Sequence, residues 1–278
     1  MSMTLLDVGG SYIKCADGRK IPAASRGSRE EISAALRQAV EMPGQAGHDD
    51  TVTPGLTGGL IGVAIPGPFD YRNGIFLMKH KYEAVYGESF RELAGLGPEA
   101  DIRFMHDVNA PLAGSLRMLG LKDAALVTIG TGLGFSYSID GDVKENPAGS
   151  PAMSLWCAPW EGGILEDFVS ARAVSSAYNR KTGKPCRSAY EAAKMADSGD
   201  IDAMEVYSDM GFILGQALRP ILDSLGIRTL LMGGQISKSI GLMIRPLKAE
   251  LPGVEILQAP ENAVFEGLQT LFEDNNKQ

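Results

Sequence analysis

Leu5-Leu6-Asp7-Val8-Gly9-Gly10-Ser11-Tyr12-Ile13-Lys14 is two short apolar runs around a glycine pair. Thr4–Leu6 and Tyr12–Ala16 flank Asp7-Val8-Gly9-Gly10-Ser11, which predicts a β-hairpin whose glycines supply the positive φ angles of a tight turn. A second copy of the pattern begins 121 positions later, counted from Gly9 to Gly130. There, Ala124–Ile129 runs into Gly130-Thr131-Gly132-Leu133-Gly134, then Phe135–Ile139 and the turn signal Asp140-Gly141. Mixed strands and helices follow each hairpin. The repetition predicts a duplicated α/β unit with a cleft between the copies, against the competing reading that glycine hairpins recur by chance.

Working outward, Ser28-Arg29-Glu30-Glu31 is a capping box opening a helix over Ile32–Glu41, ended by Pro43 and Gly44. Gly47–Gly59 reads as a loop, and Leu60–Ile65 as a buried strand stopped by Pro66-Gly67-Pro68. Asp101–Met105 is a strand, and Asn109 can cap a helix through Leu119. In the second half, helices are expected over Gly163–Tyr178, Tyr190–Met195, Ala203–Leu225, Ser239–Leu251 and Ala263–Phe272. Strands are expected at Arg228–Met232 and Val254–Leu257.

The bulk numbers exclude several classes. The chain has 278 residues, 44% hydrophobic and 22% charged, so it can bury a core without staples. Glycine is in excess, at 34 residues, but it falls in short clusters rather than in a collagen period. Net charge is −8 and no basic run occurs, so nucleic acid is not an expected partner. An acidic chain still holds an anion when backbone N–H groups do the work. No segment has the length of a membrane span, and the N-terminus lacks the basic start of a signal peptide. Cys15, Cys157 and Cys186 are scattered, which supports neither a disulfide framework nor zinc and suits a reducing cytoplasm.

Four stretches carry candidate chemistry. In Asp7-x-Gly9-Gly10-Ser11-x-x-Lys14, unshielded N–H groups and the Ser11 hydroxyl suit phosphate oxygens. Asp7 there suits Mg²⁺ or its waters, or is a plain surface residue of a hairpin. Gly130–Gly134 has the spacing of a dinucleotide fingerprint, but a strand follows where that fingerprint needs a helix. A phosphate-holding hairpin that uses Thr131 and Gly132 remains. Gly233-Gly234, between a strand and a helix, clears backbone for a flat or anionic group. Asp107 ends a strand, where it is either a base for a bound hydroxyl or an N-cap.

In this order the motifs resemble the ROK family of sugar kinases and repressors, within the actin/hexokinase/Hsp70 ATPase superfamily. The matching pieces are LLDVGGSYIK (5–14), GVAIPGPFDYRNGIF (62–76), HDVNAPLAG (106–114), LVTIGTGLGFSYSIDG (126–141), GGILEDFVSARAV (162–174) and LLMGG (230–234). The resemblance implies two actin-like (ribonuclease H-like) α/β domains. One would cover 1–105 plus the C-terminal 263–278, and the other 106–262.

It also implies a glucokinase-like enzyme that passes the γ-phosphoryl group of ATP to a sugar hydroxyl, most often the 6-hydroxyl, with Asp107 as general base. Gly9, Gly10, Ser11, Lys14, Thr131 and Gly132 would hold phosphates, and Asp7 would organise Mg²⁺. Gly233 and Gly234 would lie on the nucleoside, with Gly67, His106, Asn109 and Glu166 on the sugar side. Family members are often homodimers.

The departures bear on the sugar. The family's Glu-x-Gly-His stretch reads Met153-Ser154-Leu155-Trp156 here, and its zinc motif is absent. His106 replaces the usual Asn before the base. Trp156 and Trp160 either stack on a sugar or pack a core, and Glu161 is a candidate replacement carboxylate. A non-catalytic sugar sensor of the same fold, and polyphosphate as donor, are the alternatives. A repressor is disfavoured because the chain starts at the first hairpin, leaving no room for a helix-turn-helix.

Overall fold

A computed structural model describes residues 3–41 and 59–273. Pro43, Gly44 and nearly all of the expected 47–59 loop lie outside the described residues. The chain divides into two compact units. The first holds Met1–Leu119, Glu145–Ser150 and Glu261–Gln278; the second holds Gly120–Lys144 and Pro151–Pro260.

The first unit is built on β1 (Met3–Val8), β2 (Tyr12–Cys15), β3 (Lys20–Pro22), β4 (Leu60–Ile65) and β5 (Asp101–His106). Their order in the sheet is β3-β2-β1-β4-β5. β1 pairs antiparallel with β2 and parallel with β4, which pairs parallel with β5. Alternation along β1 sends Leu6 and Val8 to one face and Leu5 to the other. Helix α1 (Arg29–Val40) buries Ile32, Leu36 and Val40 with Leu6 and Val8, and the expected capping box is present at Ser28 and Glu31.

The opposite face is covered by α2 (Asn109–Leu119) and the C-terminal α7 (Ala263–Thr270), with Leu5, Ala64, Ala110 and Leu268 in one cluster. The two helices cross backbone to backbone at Gly114 and Gly267. A Cβ on Gly114 would stand 1.8 Å from the Ala263 carbonyl oxygen, and one on Gly267 1.9 Å from that of Ala110. This crossing ties α2 to the first unit, so the boundary falls at Leu119 and not at Met105.

The second unit repeats the plan with β6 (Ala124–Ile129), β7 (Leu133–Ile139), β8 (Asp142–Val143), β9 (Thr229–Gly233) and β10 (Glu255–Gln258), in the order β8-β7-β6-β9-β10. β6 is antiparallel to β7 and parallel to β9. So the α/β duplication expected from the two hairpins is present strand for strand. Its helices are α3 (Ala171–Thr182), α4 (Ala189–Asp197), α5 (Ile201–Leu225) and α6 (Ile240–Glu250).

One element differs from its expectation. Gly163–Tyr178 is not one helix: a short strand at Gly163–Ile164 and a 3₁₀ turn at Leu165–Asp167 come first. Helix α3 starts only where the Ser170 side chain accepts the Ala173 N–H. Apolar spacing across 164–174 hid that break.

Candidate active site

In both units the glycine turns lie at the carboxyl ends of the parallel strands, where open α/β sheets bind ligands. In the first unit, β1 delivers Asp7 and turn one (Gly9–Tyr12), β4 delivers Gly67, and β5 delivers His106 and Asp107. The register is Asp7 opposite Ala64 and Ile65 opposite His106. The Asp107 N–H extends this ladder by donating to the Ile65 carbonyl at 3.2 Å.

The carbonyls of turn one are tied back into the protein. Tyr82 Oη donates to Gly9 O at 2.7 Å, Ser25 Oγ donates to Gly10 O, and the Ala23 N–H donates to Ser11 O at 3.0 Å. The N–H groups of Gly10 and Ser11 have no protein acceptor among the described residues. Carbonyls turned in and amides left open make a concavity suited to an anion. Tyr82, Ser25 and Lys81 are part of this site, and none was legible locally.

Asp7 precedes the turn. Its Oδ2 takes Lys14 Nζ at 2.7 Å across the hairpin, where the two residues are register partners. Burial raises the Asp7 pKa above its ordinary value; Lys14 pulls it down, and the nearby charge of Asp107 adds to the rise.

Around Asp107 the polar groups are dense. His106 Nδ1 lies 3.0 Å from Asp107 Oδ1 and 3.2 Å from the Val108 N–H. These contacts are alternatives: an unprotonated Nδ1 accepts from Val108, and a protonated one donates to Asp107. Gly67 faces three side chains. A Cβ there would lie 3.4 Å from Tyr71 Oη, 3.5 Å from His106 Nε2 and 3.5 Å from Ser150 Oγ. Tyr71 Oη donates to the Ile65 carbonyl at 3.1 Å, and burial together with the Asp107 charge pushes its pKa up.

Asn109 is not a cap. It is buried in the first turn of α2, and its Nδ2 donates to Glu145 Oε1 at 2.9 Å. Desolvation of the Glu145 carboxylate raises its pKa, while Asn109 and His106 oppose the shift. Glu145, Tyr71 and Ser150 join the site from loops that sequence spacing does not connect to Asp107.

In the second unit, turn two (Gly130–Gly132) leaves the Thr131 and Gly132 amides without a protein acceptor among the described residues. Glu166 braces this turn: its Oε2 accepts the Leu133 N–H at 2.9 Å and would lie 2.6 Å from a Cβ on Gly132. The Ala171 N–H donates to Gly130 O at 2.8 Å. Because Thr128 pairs with Gly233, the Gly233-Gly234 junction lies beside turn two. Gly234 has φ +83°, and a Cβ there would meet the Ile129 carbonyl oxygen at 2.4 Å, so only glycine fits. Met153 and Trp160 pack against the core of this unit, while Trp156 is 48% exposed.

The sequence model of the ROK family matches residues 4–276. The chain belongs to the ROK family. A curated relative is a glucokinase of Halalkalibacterium halodurans, 23% identical over 299 residues, with 94% of this chain and 88% of that protein covered. The fold is that of ROK proteins of known structure. A Streptomyces griseus ROK glucokinase, solved with glucose and AMPPNP, superposes with TM-score 0.74 at 17% identity, covering 97% of this chain and 98% of that one. A Streptococcus pneumoniae ROK protein, solved with sucrose, gives 0.73 at 20%, covering 98% of each chain.

Proposed function

We propose that the protein is an ATP-dependent sugar kinase that phosphorylates a hydroxyl of a hexose or hexose derivative at the 6-position. The observation that carries this reading is the set at the carboxyl edge of the first sheet. Asp107, Asp7 and a turn with open amides are brought there by three adjacent parallel strands. Asp107 takes the proton of the attacking hydroxyl, a contribution of about 10²–10⁴-fold. Holding and neutralising the phosphoryl group supply the rest.

ATP fits the chain in two respects. Turn one offers open amides at Gly10 and Ser11, turn two at Thr131 and Gly132, and the Gly233-Gly234 junction beside turn two is where the nucleoside would lie. Lys14 adds charge at turn one while holding Asp7. Mg²⁺ usually keeps several waters and needs only one or two carboxylates plus phosphates. Asp7, close enough to Asp107 for their charges to interact, meets that need. The ion would supply charge neutralisation at the phosphates.

On the sugar side, Gly67, His106 and Asn109 surround the base, and Glu166 braces turn two from a position that the family uses for sugar. The family dimer and the cytoplasm are the setting we propose.

The test is ADP release over hexoses, N-acetylhexosamines and glycosides, with Asp107→Asn beside the wild type. The variant should lose turnover by about 10²–10⁴-fold while ATP affinity is kept. Near-normal turnover of the variant would remove Asp107 from its role. ATP binding with no turnover on any sugar would make the protein a sensor rather than a kinase.

A further inference from the structure

Turn one has two lysines, and they are not equivalent. Lys14 Nζ is 2.7 Å from Asp7 Oδ2, so its charge is offset within the protein. Lys81 comes from the irregular stretch that also carries Tyr82, the next residue. Its side chain lies along Gly10: a Cβ on that glycine would be 3.0 Å from Lys81 Cε, 3.2 Å from Cδ and 3.4 Å from Nζ. Among the described residues no carboxylate comes within 4 Å of this ammonium.

The position is fixed by its neighbour. The Tyr82 ring is fully buried, its hydroxyl donates to Gly9 O, and its N–H donates to the Ser25 carbonyl at 2.6 Å. Ser25 in turn holds Gly10 O. One short network therefore turns the carbonyls of the turn inward and lays the Lys81 side chain, which has no carboxylate partner among the described residues, along Gly10. A lysine with no internal partner among the described residues, half-buried beside a glycine whose N–H is open, is set up for an external anion.

We propose that Lys81 is the phosphate-binding cation of turn one, and that Lys14 serves chiefly to compensate Asp7. The assignment rests on the kinase reading for the identity of the anion. Turn one follows Asp7 at the carboxyl end of β1, and Asp107 follows the carboxyl end of β5, the two strands flanking β4 in parallel. The phosphate held there is thus the one nearest the acceptor hydroxyl, so Lys81 acts on the terminal phosphates of the nucleotide rather than on the nucleoside.

The test is calorimetric titration of the full chain with ATP, AMP and inorganic tripolyphosphate, each with Mg²⁺. Lys81→Met keeps the apolar stem over Gly10 and removes only the charge. It should weaken ATP and tripolyphosphate by on the order of 10- to 100-fold and leave AMP within about twofold. Lys81→Arg should recover most of the loss. Lys79→Ala, beside Tyr86 and outside the turn, should change nothing.

If wild type binds ATP and Lys81→Met binds it equally, the assignment is wrong and the kinase reading stands. Equal loss of ATP and AMP, or no recovery with arginine, would make Lys81 a structural residue and also overturn the assignment. If wild type binds neither ATP nor tripolyphosphate, both proposals fall.

Discussion

The two glycine turns share a scaffold and differ in charge. In the first unit the hairpin closes at the pair Val8–Ile13 and the next pair is Asp7–Lys14. In the second it closes at Ile129–Leu133 and the next pair is Thr128–Gly134. One position thus holds a carboxylate bonded to an ammonium, and its counterpart a hydroxyl opposite a glycine. The bracing differs too. Turn one is held by the buried Tyr82 and by Ser25, and turn two by the half-buried Glu166 and the start of α3. The same strand order carries both, so the duplicated fold keeps an open-amide turn twice, while only the first copy carries carboxylates at the ends of β1 and β5, the groups proposed above for acid–base chemistry. Asp107 follows β5 in that first copy. Ala259 and Pro260 follow β10 in the second, and neither can carry a proton.

Substitution at the matched pair should widen this contrast most. Asp7→Asn should cut turnover by about 10²–10³-fold, the cost of removing one group that stabilises developing charge. Thr128→Val should cost less than about tenfold. Comparable losses in steady-state assays would mean that the two turns share the chemistry. A second contrast concerns helix crossings. Gly114→Ala pushes a methyl group into the backbone of α7 and should destabilise by about 3 kcal/mol. In the second unit, a Cβ on Gly211 would lie 2.4 Å from the Met243 carbonyl oxygen, a looser fit, and Gly211→Ala should cost about 1 kcal/mol. Thermal unfolding of the two variants ranks them.

The hairpins, their strands and the duplicated order were legible because alternating apolar residues flank short glycine clusters, although Gly9, Gly10, Gly130, Gly132 and Gly134 do not adopt the positive φ expected of them. Asp7, Asp107 and the two glycine turns could be named for the same reason. The unit boundary was not legible: it depends on Gly114 meeting a helix that begins at Ala263, and neither glycine signals its partner. Glu166 was read as a helical residue because the apolar spacing of Ile164, Phe168 and Ala171 runs through a 3₁₀ turn, although Ser170 marked the true start. Tyr82, Lys81, Glu145 and Tyr71 reach the site through loops whose approach is decided by tertiary packing, as where buried Phe69 meets both buried Phe76 and half-buried Phe104. Trp156 and Trp160, alike in sequence, part in the structure because only Trp160 finds the core.

The braces offer a smaller contrast. Tyr82→Phe leaves Gly9 O without its donor and should cost about 1 kcal/mol. Amide exchange should then rise at Gly9 and Ala23, whose N–H groups are bonded within turn one, and stay unchanged at Gly130 and Ala171, which are bonded within turn two. Glu166→Ala should do the reverse. If either substitution loosened both turns equally, the turns would not be braced separately.

The smallest effect separates the turns by pH alone. Burial holds the Asp7 pKa above its ordinary 3.8 in the folded protein. The folded state therefore binds a proton at Asp7 more readily than the unfolded chain, and the contribution of this residue to stability falls as pH rises from 3.8 through the folded value. Above that window an ionised, desolvated Asp7 remains as a fixed cost that Lys14 only partly offsets. Asp7→Asn removes the cost, so the variant should melt above wild type at neutral pH, and the gap should close as pH drops below 3.8. Thr128 has no proton to exchange, so Thr128→Val should differ from wild type by the same amount at every pH. Lys14→Met removes the opposing charge and should widen the pH range over which wild-type-like Asp7 loses stability. Melting temperatures of the four proteins from pH 3 to 7 decide it, and a constant gap between wild type and Asp7→Asn would show that Asp7 is not held against its own ionisation. Turn one would then sacrifice no stability for its carboxylate, and the charge difference between the two copies would be free of energetic consequence for the fold.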